Sequence, residues 1–406
     1  MKTQKLYRED VYLKTGTAVV TGVRKEPQPC LILDRTVFFP EGGGQSSDIG
    51  TLDGQPVDYV FEEDGVIYHR MKDEEADWEP WVGREISMQI DWPHRFRNMQ
   101  RHCGEHILSA AFYDLCGGVN RGFHMGEEHM TIDISLEENP DCTELNDALI
   151  RKVEQEANRY IWENAPVTTV YCATRAEAEH YPMRKQLALE EEITLVCVGD
   201  PERAAGRVAC CGTHPSSAGQ VGLIKIYRYE KNKGMFRIYC EAGQDAFDHY
   251  CRLGDLVKTL DHKYSAEETT LLEKIELREQ KLQETRQELF ELRKAYLEEK
   301  AQEIIRESAT SEASVMVCEF PQFRVDDLLN LCKKIPKECA TLFALVSAKE
   351  LTAVLFCGGK PDCGKIIRQN AGIWNGKGGG RPDCARVMFA NRTDLDCFMQ
   401  YLKQAF

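Results

Sequence analysis

The chain has 406 residues, 42% of them hydrophobic, and a formal charge of −15. That length suggests roughly two to four domains, each able to bury its own core. No run of about 18 uncharged apolar residues occurs and the polar start lacks an apolar signal core, so neither a membrane span nor export is expected. The expected location is the cytoplasm, where the 17 cysteines read as reduced thiols, most of them buried small hydrophobes. An acidic balance argues against a nonspecific nucleic-acid binder but leaves room for local basic patches.

Residues 1–90 read as β structure: apolar runs at 17–23, 30–33 and 37–39 alternate with Gly, Pro and Asp turn signals. Between them, Phe39-Pro40-Glu41-Gly42-Gly43-Gly44-Gln45 is expected as a flexible loop. A helix should begin near Pro93 under an Asp91 cap and end at Gly117 and Gly118. Phe96, Met99, Cys103, Ile107 and Ala110 recur along it at helical spacing. A second helix is expected over 143–164. A β-hairpin over 221–229 and 235–240 should turn at Asn232-Lys233-Gly234.

Residues 264–308 hold no Pro or Gly and are dense in Glu, Lys, Arg, Gln and Leu. Ile275, Leu282, Leu289 and Tyr296 keep one heptad position apolar, while its companion is mixed. The pattern predicts a long exposed arm or short coiled-coil hairpin, set against a plain solvated spacer helix. The last hundred residues read as a separate α/β domain, with strands near 314–318, 341–346, 352–356 and 387–390. A glycine-rich loop over 375–381 interrupts it.

Metal chemistry is suggested by two pairs. His102 and His106 lie four apart on the first helix, so both imidazoles share a face about one turn apart. Alone, this spacing arises often by chance. Cys210 and His214 form the second pair, in the turn Cys210-Cys211-Gly212-Thr213-His214-Pro215. Three histidines and a cysteine suit tetrahedral Zn²⁺. Cys211 competes with Cys210, and spacing does not choose between them. His102-Cys103-Gly104-Glu105-His106 also fits the H-x-x-E-H pattern of a metallopeptidase, with Glu105 as general base.

Taken together, the separated motifs resemble the alanyl-tRNA editing proteins, relatives of the alanyl-tRNA synthetase editing domain. Phe39 to Gln45 with Asp48 and Gly50 is similar to the family's glycine-rich motif. Asn98 to His102 with His106 to Ser109 is similar to its first zinc segment. Gly122 to Glu128 with Thr131-Ile132-Asp133, and Arg237-Ile238 with Gly243, match as well. Cys210 to His214 with Gly219 and Gly222 resembles the second zinc segment. Gly376 to Gly380 with Arg381-Pro382-Asp383 resembles the tail domain shared with alanyl-tRNA synthetases and DHH phosphoesterases (the DHHA1 type).

The resemblance implies an α+β multidomain chain. It has a β-barrel over 1–90, a zinc-binding editing domain of α/β type over 91–255, a helical arm over 256–310 and a DHHA1-like tRNA-binding domain over 311–406. It also implies an aminoacyl-tRNA deacylase acting on alanine tRNA charged with serine or glycine. His102, His106, Cys210 and His214 would be the Zn²⁺ ligands, and Gly42, Gly43 and Gly44 would shape the pocket or contact tRNA. Glu105, Thr213 and Gln45 are the catalytic or pocket candidates, with Ser216 as a further polar one. Gly378, Gly379, Gly380 and Arg381 would contact tRNA in the tail. A homodimer through the arm or tail is carried as an expectation.

Two departures flank the metal: Cys103, Gly104 and Glu105 stand where the family usually has Thr, Ala and Gln, and Cys211 replaces a glycine. The competing readings are a zinc metallopeptidase, a noncatalytic tRNA-binding protein and an aminoacylating synthetase. The last is disfavoured because the chain starts in the expected barrel. A DHH phosphoesterase is disfavoured because no Asp-His-His triplet occurs.

Overall fold

The fold is described from a computed structural model and covers residues 2–184, 191–336, 341–358 and 360–406. It forms two compact units, residues 1–259 and 260–406. Among the described residues, every cysteine is a free thiol and no helix is long and apolar enough to cross a membrane.

In the first unit, six strands pair in a closed ring. They are β1 (Thr15–Arg24), β2 (Cys30–Leu33), β3 (Gly50–Leu52), β4 (Gln55–Glu63), β5 (Val66–Met71) and β6 (Glu85–Ile90). The ring order is β1-β2-β5-β4-β3-β6. Alternating side chains such as Ile86, Met88 and Ile90 point inward and fill it. The apolar run 37–39 is not a strand. Val37, Phe38 and Phe39 are buried in a loop whose Phe39 N–H donates to Asp48 Oδ2 at 2.7 Å. An apolar triplet marks burial, and here a side-chain acceptor takes the place of a ladder partner.

Helix α1 (Trp92–Cys116) begins as expected: Asp91 accepts from the His94 N–H, proline sits in the first turn, and Gly117 closes it at φ 64°. Its core end packs on a four-stranded sheet in the order β12-β13-β8-β7. The strands are β7 (Val119–Met125), β8 (Met130–Ser135), β12 (Ile224–Asn232) and β13 (Met235–Ala242). Gly104 lies where α1 crosses this sheet: an added Cβ would collide with the Ala242 methyl. The β12–β13 hairpin turns through Lys233 (φ 49°) and Gly234 (φ 81°), the left-handed pair of a tight two-residue loop.

Helix α2 (Asp147–Trp162) starts four residues later than expected because Asn146, not Thr143, caps it, accepting from the Leu149 N–H. A second sheet joins β9 (Val167–Thr174), β10 (Glu191–Val198) and β11 (Arg207–Ala209), all antiparallel. Helix α3 (Gln244–Tyr264) follows the hairpin.

In the second unit, α4 (Leu271–Thr310) is the expected long helix, 40 residues from end to end. Its first part exposes Leu282, Leu289 and Leu292. Leu297, Ala301 and Ile304 near its end enter a core with Leu328, Leu331 and Phe343. A mixed sheet contains β14 (Val315–Phe320), β15 (Leu342–Ser347), β16 (Thr352–Phe356), β17 (Lys377–Gly380) and β18 (Cys384–Met388), in the order β14-β15-β16-β18-β17. The glycine-rich segment expected as a loop is therefore an edge strand. Glycine is required there by close approach: a Cβ on Gly378 would collide with the Arg386 carbonyl oxygen, and one on Gly380 would lie 2.6 Å from the Cys384 carbonyl oxygen.

Candidate metal centre

Four donor side chains converge in the first unit. His102 and His106 project from one face of α1, and Cys210 and His214 come from the segment after β11. One ligand atom from each lies within 4.8 Å of all the others. The three imidazole rings are mutually close, with centroids 4.6–4.9 Å apart. Both ring nitrogens of His106 and of His214 are buried without a hydrogen-bond partner. Such orphaned nitrogens are costly to bury unless something coordinates them. This N₃S donor set could hold a metal ion, and its chemistry suits Zn²⁺.

The choice between the two cysteines is geometric. Cys210 Sγ lies 3.3 Å from His102 Nε2 and accepts from the Gly212 N–H at 3.4 Å, whereas Cys211 is exposed. Burial lowers His102 to about 3, and the neighbouring His106 adds to the effect. His214 is held well below the usual range for the same reasons, burial first. Both are therefore neutral imidazoles, the form that coordinates a metal.

The glycines let this assembly close. A Cβ on Gly212 would collide with His102 Cε1, and one on Gly43 (φ 60°) would lie 3.0 Å from Cys211 Sγ. A Cβ on Gly44 would sit 2.7 Å from Phe123, whose ring stacks on His102 at 5.5 Å. The glycine-rich segment is thus packed against the metal ligands rather than free. Gln45, buried, fixes the His102 ring: its Oε1 accepts from His102 Nδ1–H at 2.9 Å and from the Thr213 N–H at 3.0 Å. Its amide donates to Thr213 Oγ1 at 2.8 Å. This network assigns the proton to Nδ1 and leaves the Nε2 lone pair facing Cys210.

Glu105 is buried, with one oxygen hydrogen-bonded and the other against the His106 ring. Oε1 accepts from Ser109 Oγ at 2.7 Å and Asn120 Nδ2 at 2.6 Å, and Oε2 lies 2.6 Å from His106 Nδ1, out of line for a hydrogen bond. Burial works to raise its carboxyl, but the adjacent His106 ring and then the Arg184 guanidinium hold it well below the usual carboxylate range.

A cavity of about 380 Å³ opens beside the donors, lined by His102, His106, Cys210, Glu105, Asn120 and Arg184 among others. Gln45 and Thr213 do not line it and stand behind His102 instead. Ser216 lies apart on the surface, bonded to Tyr12 and Gln220.

Two known families match parts of this chain. The class II (A) tRNA synthetase family matches residues 4–94, and the threonyl and alanyl tRNA synthetase second additional domain matches residues 193–239. The alanyl-tRNA editing protein AlaX-M of Methanosarcina acetivorans is 32% identical over 249 residues, 58% of this chain and 98% of that protein. The chain belongs to the alanyl-tRNA editing protein family. Within that family, the AlaX-L protein of Pyrococcus horikoshii is 33% identical over 60% of this chain and 59% of its own length. The alanine–tRNA ligase of Archaeoglobus fulgidus is 26% identical over 93% of this chain but 41% of the ligase. The chain thus spans 59% of the AlaX-L protein and smaller shares of the ligases.

The structure of this family member pairs most of the basic side chains on α1 and the hairpin with carboxylates. Arg95 is fully buried against Asp48, its Nε 2.8 and 2.9 Å from the two carboxylate oxygens. Arg101 is buried in a two-pronged pair with Glu241, both bonds 2.8 Å, and Arg97 pairs with Asp245. Arg95 and Arg101 hold α1 in place and are not available to phosphates, whereas Arg97 is exposed. On the hairpin, Lys225, Arg228, Lys231 and Arg237 pair with Glu154, Glu230, Glu144 and Asp133. Around β17, Arg381 approaches Asp383 at 3.7 Å, while no ion pair forms at Lys365, Lys377 or Arg386 among the described residues.

One site residue went unread in the sequence. Arg184 is buried, and its NH1 donates to the carbonyls of Ala205 at 2.7 Å and His106 at 3.3 Å. Burial lowers its pKa, with Glu105 opposing. A single arginine far from both ligand pairs carries no local signal, because only the fold brings it to the cavity.

Proposed function

We propose that this protein is a trans-editing deacylase that hydrolyses the ester of wrongly charged alanine tRNA, with serine or glycine as the amino acid. The observation that carries this reading is the convergence of three buried imidazoles and one thiol, of which His102, His106 and Cys210 line a cavity of about 380 Å³, in a member of the alanyl-tRNA editing family. His102, His106, Cys210 and His214 would hold Zn²⁺, which supplies Lewis acidity at the ester carbonyl when bound. Gln45 holds His102 in the coordinating tautomer, and Thr213 holds Gln45. Glu105 acts on His106 from behind, as a positioning residue. Engaged by Ser109 and Asn120, it is poorly placed as the general base of a peptidase.

The tail is proposed to hold the tRNA body. Lys365, Lys377 and Arg386 beside the glycine strand Gly378–Gly380 form no ion pair among the described residues, which suits phosphate contacts. The exposed apolar row of α4 suits a second copy of the chain. A tRNA substrate would place the protein in the cytoplasm.

The test is deacylation of seryl-, glycyl- and alanyl-tRNA(Ala), with bound zinc measured in parallel. The expected outcome is hydrolysis of the seryl or glycyl ester, sparing of the alanyl ester, and loss of both zinc and activity in Cys210→Ala. Equal activity in that variant would sink the metal-centred reading. Tight tRNA binding with no hydrolysis would favour a noncatalytic binding protein.

A further inference from the structure

Of the two arginines lining the metal-site cavity, Arg121 is occupied at its rim by Glu138. Arg184 differs. It is buried, its NH1 is anchored by two backbone carbonyls, and its Nε and NH2 have no hydrogen-bond partner among the described residues. A guanidinium has five donors in a rigid plane, so anchoring one nitrogen aims the remaining edge. One of its anchors is the carbonyl of His106, a metal-ligand candidate, which ties its position to the reacting centre. Burying such a charge is expensive unless an oxygen-rich partner meets it.

We propose that Arg184 is a catalytic residue whose free edge donates hydrogen bonds to the carbonyl oxygen of the aminoacyl ester. This rests on the deacylase reading. Water adds to the carbonyl carbon, the carbonyl π pair moves onto oxygen, and that oxyanion is stabilised by the guanidinium. The pair then returns, the bond to the ribose oxygen breaks, and the ribose oxygen takes the proton that the attacking water gives up. The products are a free amino acid and a tRNA with an intact terminal hydroxyl.

The experiment is single-turnover hydrolysis of seryl-tRNA(Ala) by the full-length wild type, Arg184→Lys and Arg184→Ala, with zinc content and thermal unfolding recorded for each. The wild type should react. Arg184→Ala should lose about 10²–10³-fold in rate at saturating tRNA, as removal of one oxyanion donor does elsewhere. Zinc content and half-saturation should not change, added guanidinium ion should restore part of the rate, and Arg184→Lys should fall between. Loss of zinc in both variants would overturn the proposal in favour of a purely structural anchor for His106. A raised half-saturation with an unchanged rate would also overturn it, and would point to a phosphate contact. An inert wild type would reject the deacylase reading itself, and this proposal with it.

Discussion

At the scale of single residues, Gln45 shows how a modest side chain governs a metal site. Its carbonyl accepts from two donors, so it sets both the His102 ring and the Thr213 backbone. Gln45→Met removes that acceptor and frees the ring to change tautomer. Zinc affinity is expected to fall about 10–100-fold, read by competition with a chelator. His69 is a contrasting case, buried in the ring between Thr36 Oγ1 at 2.7 Å and the Leu31 carbonyl at 3.2 Å. Burial lowers its pKa to about 4, partly opposed by the Leu31 hydrogen bond. The unfolded chain takes up its proton near pH 6.5 and the folded chain only near pH 4. Stability is therefore complete above pH 6.5 and falls as pH drops through that window, by on the order of 3 kcal/mol. Denaturant titrations of His69→Gln should show a flatter dependence between pH 4 and 6.5.

At the scale of elements, α1 was readable end to end. Asp91, Pro93 and Gly117 punctuate it, and the periodic apolar residues define its buried face. What holds it against the ring was not readable. Arg95 spends every nitrogen on Asp48 and on the carbonyls of Val11 and Val37. Nothing local to Arg95 marks it as buried, because its acceptors lie 47 or more positions away in the chain. Replacing one partner of a buried pair leaves the other charge unpaired, so Arg95→Met is expected to cost about 3–5 kcal/mol in chemical unfolding. A double Arg95→Met, Asp48→Asn variant should cost clearly less than the sum of the two single changes. The glycine segment of the tail erred the other way: glycine and lysine read as a loop, yet close backbone approach to β18 is what excludes side chains there.

At the scale of the whole molecule, every metal donor and every described wall of the cavity lies in residues 1–259, while the arm and glycine strand lie in 260–406. Leu282 and Leu289 remain exposed on the arm. If they meet a second chain, Leu282→Glu with Leu289→Glu should convert a dimer to a monomer in sedimentation runs and leave zinc content untouched. A wild type that already sediments as a monomer would exclude the dimer.

The sequence alone was enough for both ends of α1, the hairpin set by its left-handed turn, the long arm helix, and the His102–His106 and Cys–His214 pairs with Cys210 or Cys211 left open. Each rests on local backbone chemistry, on periodicity or on motifs that survive in order along the chain. Only the tertiary structure decided Cys210 over Cys211, moved Gln45 and Thr213 behind His102, set Glu105 among Ser109, Asn120 and His106 and brought Arg184 to the cavity. Those outcomes depend on which side chains share a buried space, and residues that meet there are separated by up to 168 positions in the chain.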